Sequence, residues 1–122
     1  MGYVIIRPAA DADEYVIWCT GTEQPLAVGD RDEIAADVAA LEPDRGDIVA
    51  RLDHVDLHGS SMTAYPFGWW DHGAFLYQHG RGLLPRNRLG EAARLLAAAD
   101  HDTAADDLLD PVDAGAEAPG GD

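Results

Sequence analysis

The chain has 122 residues, of which 47% are hydrophobic, so its length and composition allow one hydrophobic core but leave too little for two. It carries 23 acidic residues against 8 basic ones, and the formal net charge of −15 argues against direct nucleic-acid binding, because phosphate recognition requires a basic surface. The sequence has no run of about 20 apolar residues and no signal-peptide pattern at its start, which predicts a cytoplasmic protein without a membrane segment.

The first half of the chain predicts two strands followed by two helices. The segments "YVIIR" (3–7) and "EYVIWCT" (14–20) are short, β-branched and aromatic, which is typical of two adjacent strands. In "DRDEIAADVAAL", Asp30 and Glu33 form a capping pair ahead of apolar residues at helical spacing, and this predicts a first helix. The spacing recurs in "PDRGDIVARLDHVDLHG" and predicts a second helix that ends near Gly59.

The second half predicts a β-hairpin, a third helix and a tail. "SSMTAYPFGWW" leads into a strand, and "DHG" has the composition of a turn before a second strand in "AFLYQHG". "RGLLPRNRLGEAARLLAAA" places Pro85 near a helix N-terminus and sets Leu89 and Leu96 on one apolar stripe. From about residue 100 the chain is mainly Asp, Ala, Gly and Pro, which predicts disorder because few large apolar groups remain.

These elements predict one α+β domain over residues 1–99, with the order ββ-αα-ββ-α, and a disordered acidic tail over 100–122. The expected architecture is an antiparallel sheet of four to five strands with about three helices packed on it. Additional short strands at 25–28 and 62–65 are compatible with the pattern. Neither of the first two strands alternates apolar with polar residues, so each is expected to be covered on both faces or to meet a partner.

The adjacent residues Trp69 and Trp70 predict a contact surface. Strand side chains alternate between the two faces of a sheet, so one of these indoles is expected in the core and the other on the opposite face. Trp18 and Tyr77 are assigned to the same aromatic sheet surface. Soluble monomers rarely expose large apolar patches, so such a surface indicates a protein partner or a homodimer. The alternative is that the helices cover these side chains as core.

Four of the eight basic residues form a cluster near the third helix: Arg81, Arg86, Arg88 and Arg94. All eight are arginine and 21 residues are alanine, a bias typical of a GC-rich bacterial genome. Cations at a helix N-terminus oppose the helix dipole, and together with free backbone N–H groups they predict an anion or partner-binding site. Its ligand could be a phosphate, an acidic partner surface or the protein's own acidic tail. The alternative is that these arginines pair with acids elsewhere on the surface.

No catalytic residue and no cofactor is predicted. His54 and His58 stand four apart on the second helix, which makes them weak candidates for metal ligands, and without a third ligand no metal site is predicted. Cys19 is expected to be buried and inert, with a raised pKa. Asp71 and His72 fall at a predicted turn and lack an evident nucleophile.

The sequence therefore predicts a non-catalytic bacterial protein-interaction or regulatory domain that uses the aromatic sheet surface and the arginine cluster. One alternative is an enzyme or binding protein for a small anionic ligand such as phosphate, with its site at the start of the third helix. A further alternative is an acidic decoy, a DNA mimic or inhibitor that occupies a basic protein. In each case the acidic tail could contact the arginine cluster of its own chain.

Overall fold

The structure is a computed structural model that describes residues 3–43, 47–63, 67–78, 80–98 and 105–111. Within these ranges the chain adopts an α+β fold with five strands in two antiparallel sheets and three α-helices. The predicted class is confirmed, but the single predicted sheet is divided into a three-stranded sheet and a two-stranded sheet. None of the described helices is long and apolar enough to cross a membrane.

The strands and helices follow the predicted order, with one strand added before the first helix. They are β1 (Tyr3–Ile6), β2 (Tyr15–Cys19), β3 (Gln24–Gly29), α1 (Arg31–Leu41), α2 (Ile48–His58), β4 (Ala74–Tyr77), β5 (Gly82–Pro85) and α3 (Leu89–Ala98). Two 3-10 turns, Arg86–Arg88 and Asp106–Leu108, flank α3 in the sequence. The additional strand at 25–28 is present as β3. Residues 62 and 63 are not in a strand, and 64 and 65 lie outside the described residues.

The central sheet is covered on both faces. Its strands lie in the order β1-β2-β3, with β2 antiparallel to both neighbours. One face packs on the second sheet and α3, through Val4, Ile6, Val16, Trp18, Phe75, Tyr77, Leu84, Leu89 and Ala92. The other face packs on α1 and α2, through Ile5, Tyr15, Ile17, Ile34, Val38, Leu52 and Val55. The uniformly apolar strands are explained by this three-layer arrangement.

Two residues assigned to the aromatic sheet surface lie in the core instead. Trp18 is 1% exposed and Tyr77 is 0% exposed. Trp18 packs against Phe75, with ring centroids 5.4 Å apart, so the β4–β5 sheet fills the space beside it. The prediction that these two side chains form a surface is corrected for a physical reason: the second sheet covers the face that a single larger sheet would have left open.

Replacement of Trp18 by alanine is expected to destabilise the fold by about 3 to 5 kcal/mol, the usual cost of emptying a buried aromatic site. Urea unfolding followed by circular dichroism measures the change. Leu76→Ala on β4 is the control, because Leu76 is an exposed hydrophobic residue and its truncation creates no cavity. Equal stabilities of the two variants would contradict the core assignment of Trp18.

The predicted hairpin is shifted along the chain. Trp69 and Trp70 lie in a loop of turns and bends, and the hairpin pairs β4 with β5, from Ala74 opposite Pro85 to Tyr77 opposite Gly82. Gly68 has a φ of 79°, in the left-handed region, which interrupts an extended strand at this point. The "DHG" segment therefore ends the loop and enters β4, instead of joining two strands.

Both central helices begin with a side-chain cap. The capping pair predicted for α1 is confirmed, because the Asp30 carboxylate accepts from the Glu33 backbone N–H and the Glu33 carboxylate accepts from the Asp30 backbone N–H, each at 2.9 Å. Asp47 caps α2 by accepting from the N–H groups of Val49 and Ala50. These caps fix where the α1–α2 layer starts on the sheet.

Asp56 of α2 connects three elements through its carboxylate. It accepts hydrogen bonds from Arg7 at 3.1 Å, from the Tyr15 hydroxyl at 2.6 Å and from Arg31 at 2.6 Å. Arg31 also pairs with Asp53 at 2.8 Å. Burial and the hydrogen bond to Asp56 raise the pKa of Tyr15. This network ties α1 and α2 to the central sheet.

Residues 105–111 differ from the disordered tail expected after residue 99. Ala105 is fully buried, and Leu108 and Leu109 pack against the core. Asp110 pairs with Leu83 of β5 through two backbone hydrogen bonds of 2.8 Å. Ala105 and the two leucines supply the apolar contacts that hold this segment. The other residues of the predicted tail lie outside the described ranges.

Candidate interaction surface

Arg86 is the organising side chain of the region around the tryptophans. It is only 8% exposed, and its guanidinium donates to backbone carbonyl groups. The acceptors are the oxygens of Arg7 (2.7 Å), Pro8 (3.3 Å), Gly59 (3.0 Å), Gly68 (2.9 Å), Trp69 (2.6 Å) and His72 (3.2 Å). Burial lowers the pKa of Arg86, and the negative charge of Asp71 opposes that effect. A guanidinium has five N–H groups, so these six acceptors occupy its donors completely.

The predicted anion site is not assembled. Arg86 has no donor left for an anion, and the other three arginines point to separate partners. Arg81 pairs with Asp106 at 3.3 Å, Arg88 donates to the Leu108 carbonyl at 2.9 Å, and Arg94 pairs with Glu14 at 2.6 Å. Two of the four therefore contact the segment 105–111 of the same chain, which is the intramolecular contact that the sequence left open.

Trp70 is held from three directions. Its ring lies over the Arg86 guanidinium, 5.1 Å from the ring centroid to the guanidinium carbon. Its indole N–H donates to the Leu57 carbonyl at 2.9 Å, and its backbone N–H donates to the His58 carbonyl at 2.8 Å. The C-terminal carbonyls of α2, which lack partners within the helix, are thereby satisfied by the loop.

Trp69 is held by the segment that follows α2 and by the last residue of α2. Its indole N–H donates to the Met62 carbonyl at 3.0 Å. Its ring stacks on His58, with centroids 4.3 Å apart and planes 21° from parallel. Both indoles thus use their only polar atom on the protein's own backbone, which leaves carbon surface on their outer sides.

These contacts build a partly exposed apolar surface, which we call the tryptophan platform and define as Leu57, His58, Trp69 and Trp70. Leu57 is 72% exposed, and the other three are partly exposed. The platform lies at the C-terminal end of α2 and on the loop 67–73. Trp69 and Trp70 were predicted as contact residues, but they belong to this loop surface and not to a sheet face.

Gly59 makes the close packing beneath the platform possible. It follows α2 with a φ of 92°, a backbone conformation that residues with a Cβ rarely adopt. A Cβ at this position would lie 2.6 Å from Arg86 Nη2 and 2.9 Å from the Trp70 ring. The absence of a side chain therefore lets the guanidinium and the indole approach the end of the helix.

His72 supports the loop from inside. Its Nδ1 accepts a hydrogen bond from the Gly68 backbone N–H at 3.0 Å, and its ring stacks on Phe75 at 4.3 Å. Burial lowers the pKa of His72, which favours the neutral ring that such an acceptor requires. Asp71 is exposed beside it, and among the described contacts it forms no hydrogen bond with His72. His72 therefore has a structural role in the loop, and Asp71 lies exposed next to it.

His54 and His58 lie side by side on α2, with ring centroids 4.5 Å apart. Across residues 3–43, 47–63, 67–78, 80–98 and 105–111, no three side chains of His, Cys, Asp or Glu are grouped as a metal site. The structure therefore brings the two weak metal-ligand candidates together, without a third ligand among the described residues.

Cys19 is buried at the end of β2, 6% exposed, but its environment differs from the expected one. Burial raises the pKa of its thiol, whereas hydrogen bonds from the side chain and backbone of Thr22 lower it, and the net effect is a lowered pKa. The expectation of a raised pKa is corrected, because a turn directly after β2 supplies these donors.

Comparisons of the chain with protein-family models, with curated proteins and with solved structures found no match. The sequence predicts Trp69 and Trp70 as contact residues, and this stays a prediction; it does not indicate the structural role of Arg86, which was assigned to an anion or partner site. Arg86 is the first residue of the triplet "RNR" (86–88). Nothing in that triplet indicates that its first arginine is buried and its third is exposed.

Proposed function

We propose that this chain is a non-catalytic protein-interaction domain that contacts its partner through the tryptophan platform. The observation that carries the proposal is the preorganisation of Trp69 and Trp70. Their indole N–H groups are bound to Met62 and Leu57 carbonyls, and their loop is fixed by Arg86. Tryptophan is one of the side chains that most often anchor protein interfaces.

The energetics of the loop favour a binding role. A buried guanidinium is costly to desolvate, and the chain satisfies it with carbonyls of three separate segments. The result is that two indoles are held partly exposed in fixed positions. Fixing contact residues before binding reduces the entropy that association loses, so this arrangement increases affinity for a partner.

Charge favours a basic partner over a second copy of the chain. The formal charge of −15 makes two copies repel each other, and Asp71 is exposed directly after Trp70. A partner that presents an apolar contact flanked by Arg or Lys would match both the platform and its acidic surroundings.

Affinity capture tests this proposal with two leucine variants. Leu57→Gln changes the platform, and Leu95→Gln changes an exposed leucine on α3, 39% exposed, as the matched control. We expect a basic protein from an extract of the source organism to be retained by the wild type and by Leu95→Gln. Retention by Leu57→Gln should fall about tenfold, the loss expected when an interface anchor contributes about 1.4 kcal/mol.

Two further measurements complete the test: the affinity of the purified partner, and the oligomeric state of the wild type and of both variants. The purified partner should bind the wild type with an affinity that decreases as salt rises, because opposite charges surround the contact. Light scattering behind size exclusion should give a monomer for all three proteins. A dimer that Leu57→Gln dissociates would replace the basic partner with a second copy, and equal retention on all three baits would contradict the platform as the interface.

A further inference from the structure

The pair His54 and His58 has the arrangement of two ligands to one metal ion. The residues are four apart on α2, which places both imidazoles on the same side of the helix. Their ring centroids are 4.5 Å apart. Zinc–nitrogen bonds of about 2.0 to 2.1 Å with a tetrahedral angle would place the two centroids about 5 Å apart, so the spacing of the two rings is close to that required by a shared zinc ion.

The proton on His54 is fixed by its hydrogen bond. His54 Nδ1 lies 2.8 Å from the Ser60 carbonyl oxygen, which can only accept. Nδ1 therefore carries the hydrogen, and in the neutral ring Nε2 has a free lone pair. Histidine ligands to metals usually donate their second ring N–H to a backbone carbonyl in this way. Ser60 is itself buried and bridged to Ile6, so the acceptor is fixed in place.

His58 is oriented by stacking and not by hydrogen bonding. Its ring stacks on Trp69 with centroids 4.3 Å apart, and Trp69 is fixed by its bond to Met62. Within the described part of the chain, no group is hydrogen-bonded to a ring nitrogen of His58. Arg51, one turn before His54, is paired with Glu42 at 3.2 Å, so its charge is engaged on another contact.

We propose that His54 and His58 bind a divalent transition-metal ion of the zinc class, with His54 coordinating through Nε2. The described residues offer no third protein ligand, so water completes the coordination and the ion keeps exchangeable positions. This site does not depend on the protein-interaction role of the platform, although His58 belongs to both.

Calorimetric titration of the full chain with zinc chloride, in a buffer that does not chelate zinc, tests the site. The variants are His54→Gln and His58→Gln, since glutamine retains the helix and an N–H donor for Ser60. The control replaces His79 and His101, which lie outside the described residues, with glutamine together. We expect one zinc ion to bind the wild type, about tenfold or greater loss of affinity in each single variant, and at most about twofold change in the control.

Two results would overturn the proposal: no saturable binding by the wild type at millimolar zinc, or binding by both single variants that equals that of the wild type, which would assign the zinc to carboxylates. Circular dichroism checks that each variant folds. If His54→Gln does not fold, the His58→Gln titration decides alone, because the ring of His58 has no hydrogen bond to lose among the described residues. Nitrogen-15 spectra of the imidazoles provide the second measurement: zinc should shift the His54 Nε2 resonance while Nδ1 stays protonated, and an unchanged His54 spectrum at saturation would refute the site.

Discussion

Replacement of Arg86 by methionine is expected to destabilise the protein by about 2.5 kcal/mol or more. Of the six carbonyls that the guanidinium binds, Gly59 O also accepts from Arg7 N–H and Trp69 O also accepts from His72 N–H. Within the described residues the other four oxygens, those of Arg7, Pro8, Gly68 and His72, have no second donor. The bond to Gly68 O is buried, and the bonds to Arg7 O, Pro8 O and His72 O are part-buried. An unsatisfied buried acceptor costs about 1 to 3 kcal/mol and the loss of a typical hydrogen bond about 0.5 to 1.5 kcal/mol, so one loss of the first kind and three of the second give a lower bound of about 2.5 kcal/mol.

Urea unfolding measures this loss against two further variants. Arg88→Met is the matched control in the same 3-10 turn: Arg88 is exposed with one hydrogen bond to Leu108, so the change should stay within about 0.5 kcal/mol. Arg86→Lys should be intermediate, because an ammonium group donates three hydrogen bonds where the guanidinium donates five. An Arg86→Met variant as stable as Arg88→Met would contradict the structural role of the guanidinium.

The elements that could be predicted from the sequence are those specified by nearby residues. The α1 cap depends on Asp30 and Glu33, three positions apart, and the helical spacing of α1 and α2 is a local pattern. The strands β1 and β2 follow from short runs of β-branched and aromatic residues. Their lack of alternation indicated cover on both faces or a partner, and the structure shows cover on both faces, by α1 and α2 on one side and by the second sheet and α3 on the other.

The tryptophan platform could not be predicted because its determinants are backbone groups distant in sequence. Arg86 binds carbonyls 14 to 79 positions away, and a carbonyl is present at every residue, so no residue type marks these acceptors. An arginine near a helix start has the same sequence signature whether it faces solvent or the interior. The role of Arg86 becomes visible only when the end of α2, the segment after β1 and the loop 67–73 are placed together.

The division of the predicted sheet has a similar origin. Alternation along a strand assigns Trp69 and Trp70 to opposite faces only if the strand exists, and Gly68 with a φ of 79° ends the extended conformation just before them. The two indoles instead make different contacts: Trp70 lies over Arg86, and Trp69 stacks on His58. The expectation that the tryptophans contribute to a surface stays a prediction, now placed on a loop.

Gly59→Ala is expected to destabilise the protein by about 2 to 5 kcal/mol. The left-handed backbone at a φ of 92° costs a residue with a Cβ about 1 to 2 kcal/mol. The new Cβ would lie 2.6 Å from Arg86 Nη2 and 2.9 Å from Trp70, and overpacking of this kind adds about 1 to 3 kcal/mol. Because the neighbours that must move include an indole of the platform, the tryptophan near-ultraviolet circular dichroism of the folded variant should change as well.

Two other glycines separate the backbone cost from the steric cost. Gly80 has a φ of 106°, but a Cβ added there would have no atom within 4 Å, so Gly80→Ala should show the backbone cost alone, about 1 to 2 kcal/mol. Gly73 has neither a positive φ nor a neighbour within 4 Å, and Gly73→Ala should lie within about 1 kcal/mol of the wild type. Equal losses for Gly59→Ala and Gly80→Ala would contradict a steric contribution at Gly59.

A double-mutant cycle then tests whether Gly59 and Arg86 act together. The closest atom to a Cβ at position 59 is Nη2 of Arg86, and lysine has no atom that corresponds to it. Gly59→Ala should therefore cost less in the Arg86→Lys background than in the wild type, with a coupling energy of about 0.5 to 3 kcal/mol. Additive losses would mean that the Trp70 ring and the backbone conformation carry the cost. In that case the glycine would be required by the platform's indole and not by the guanidinium beneath it.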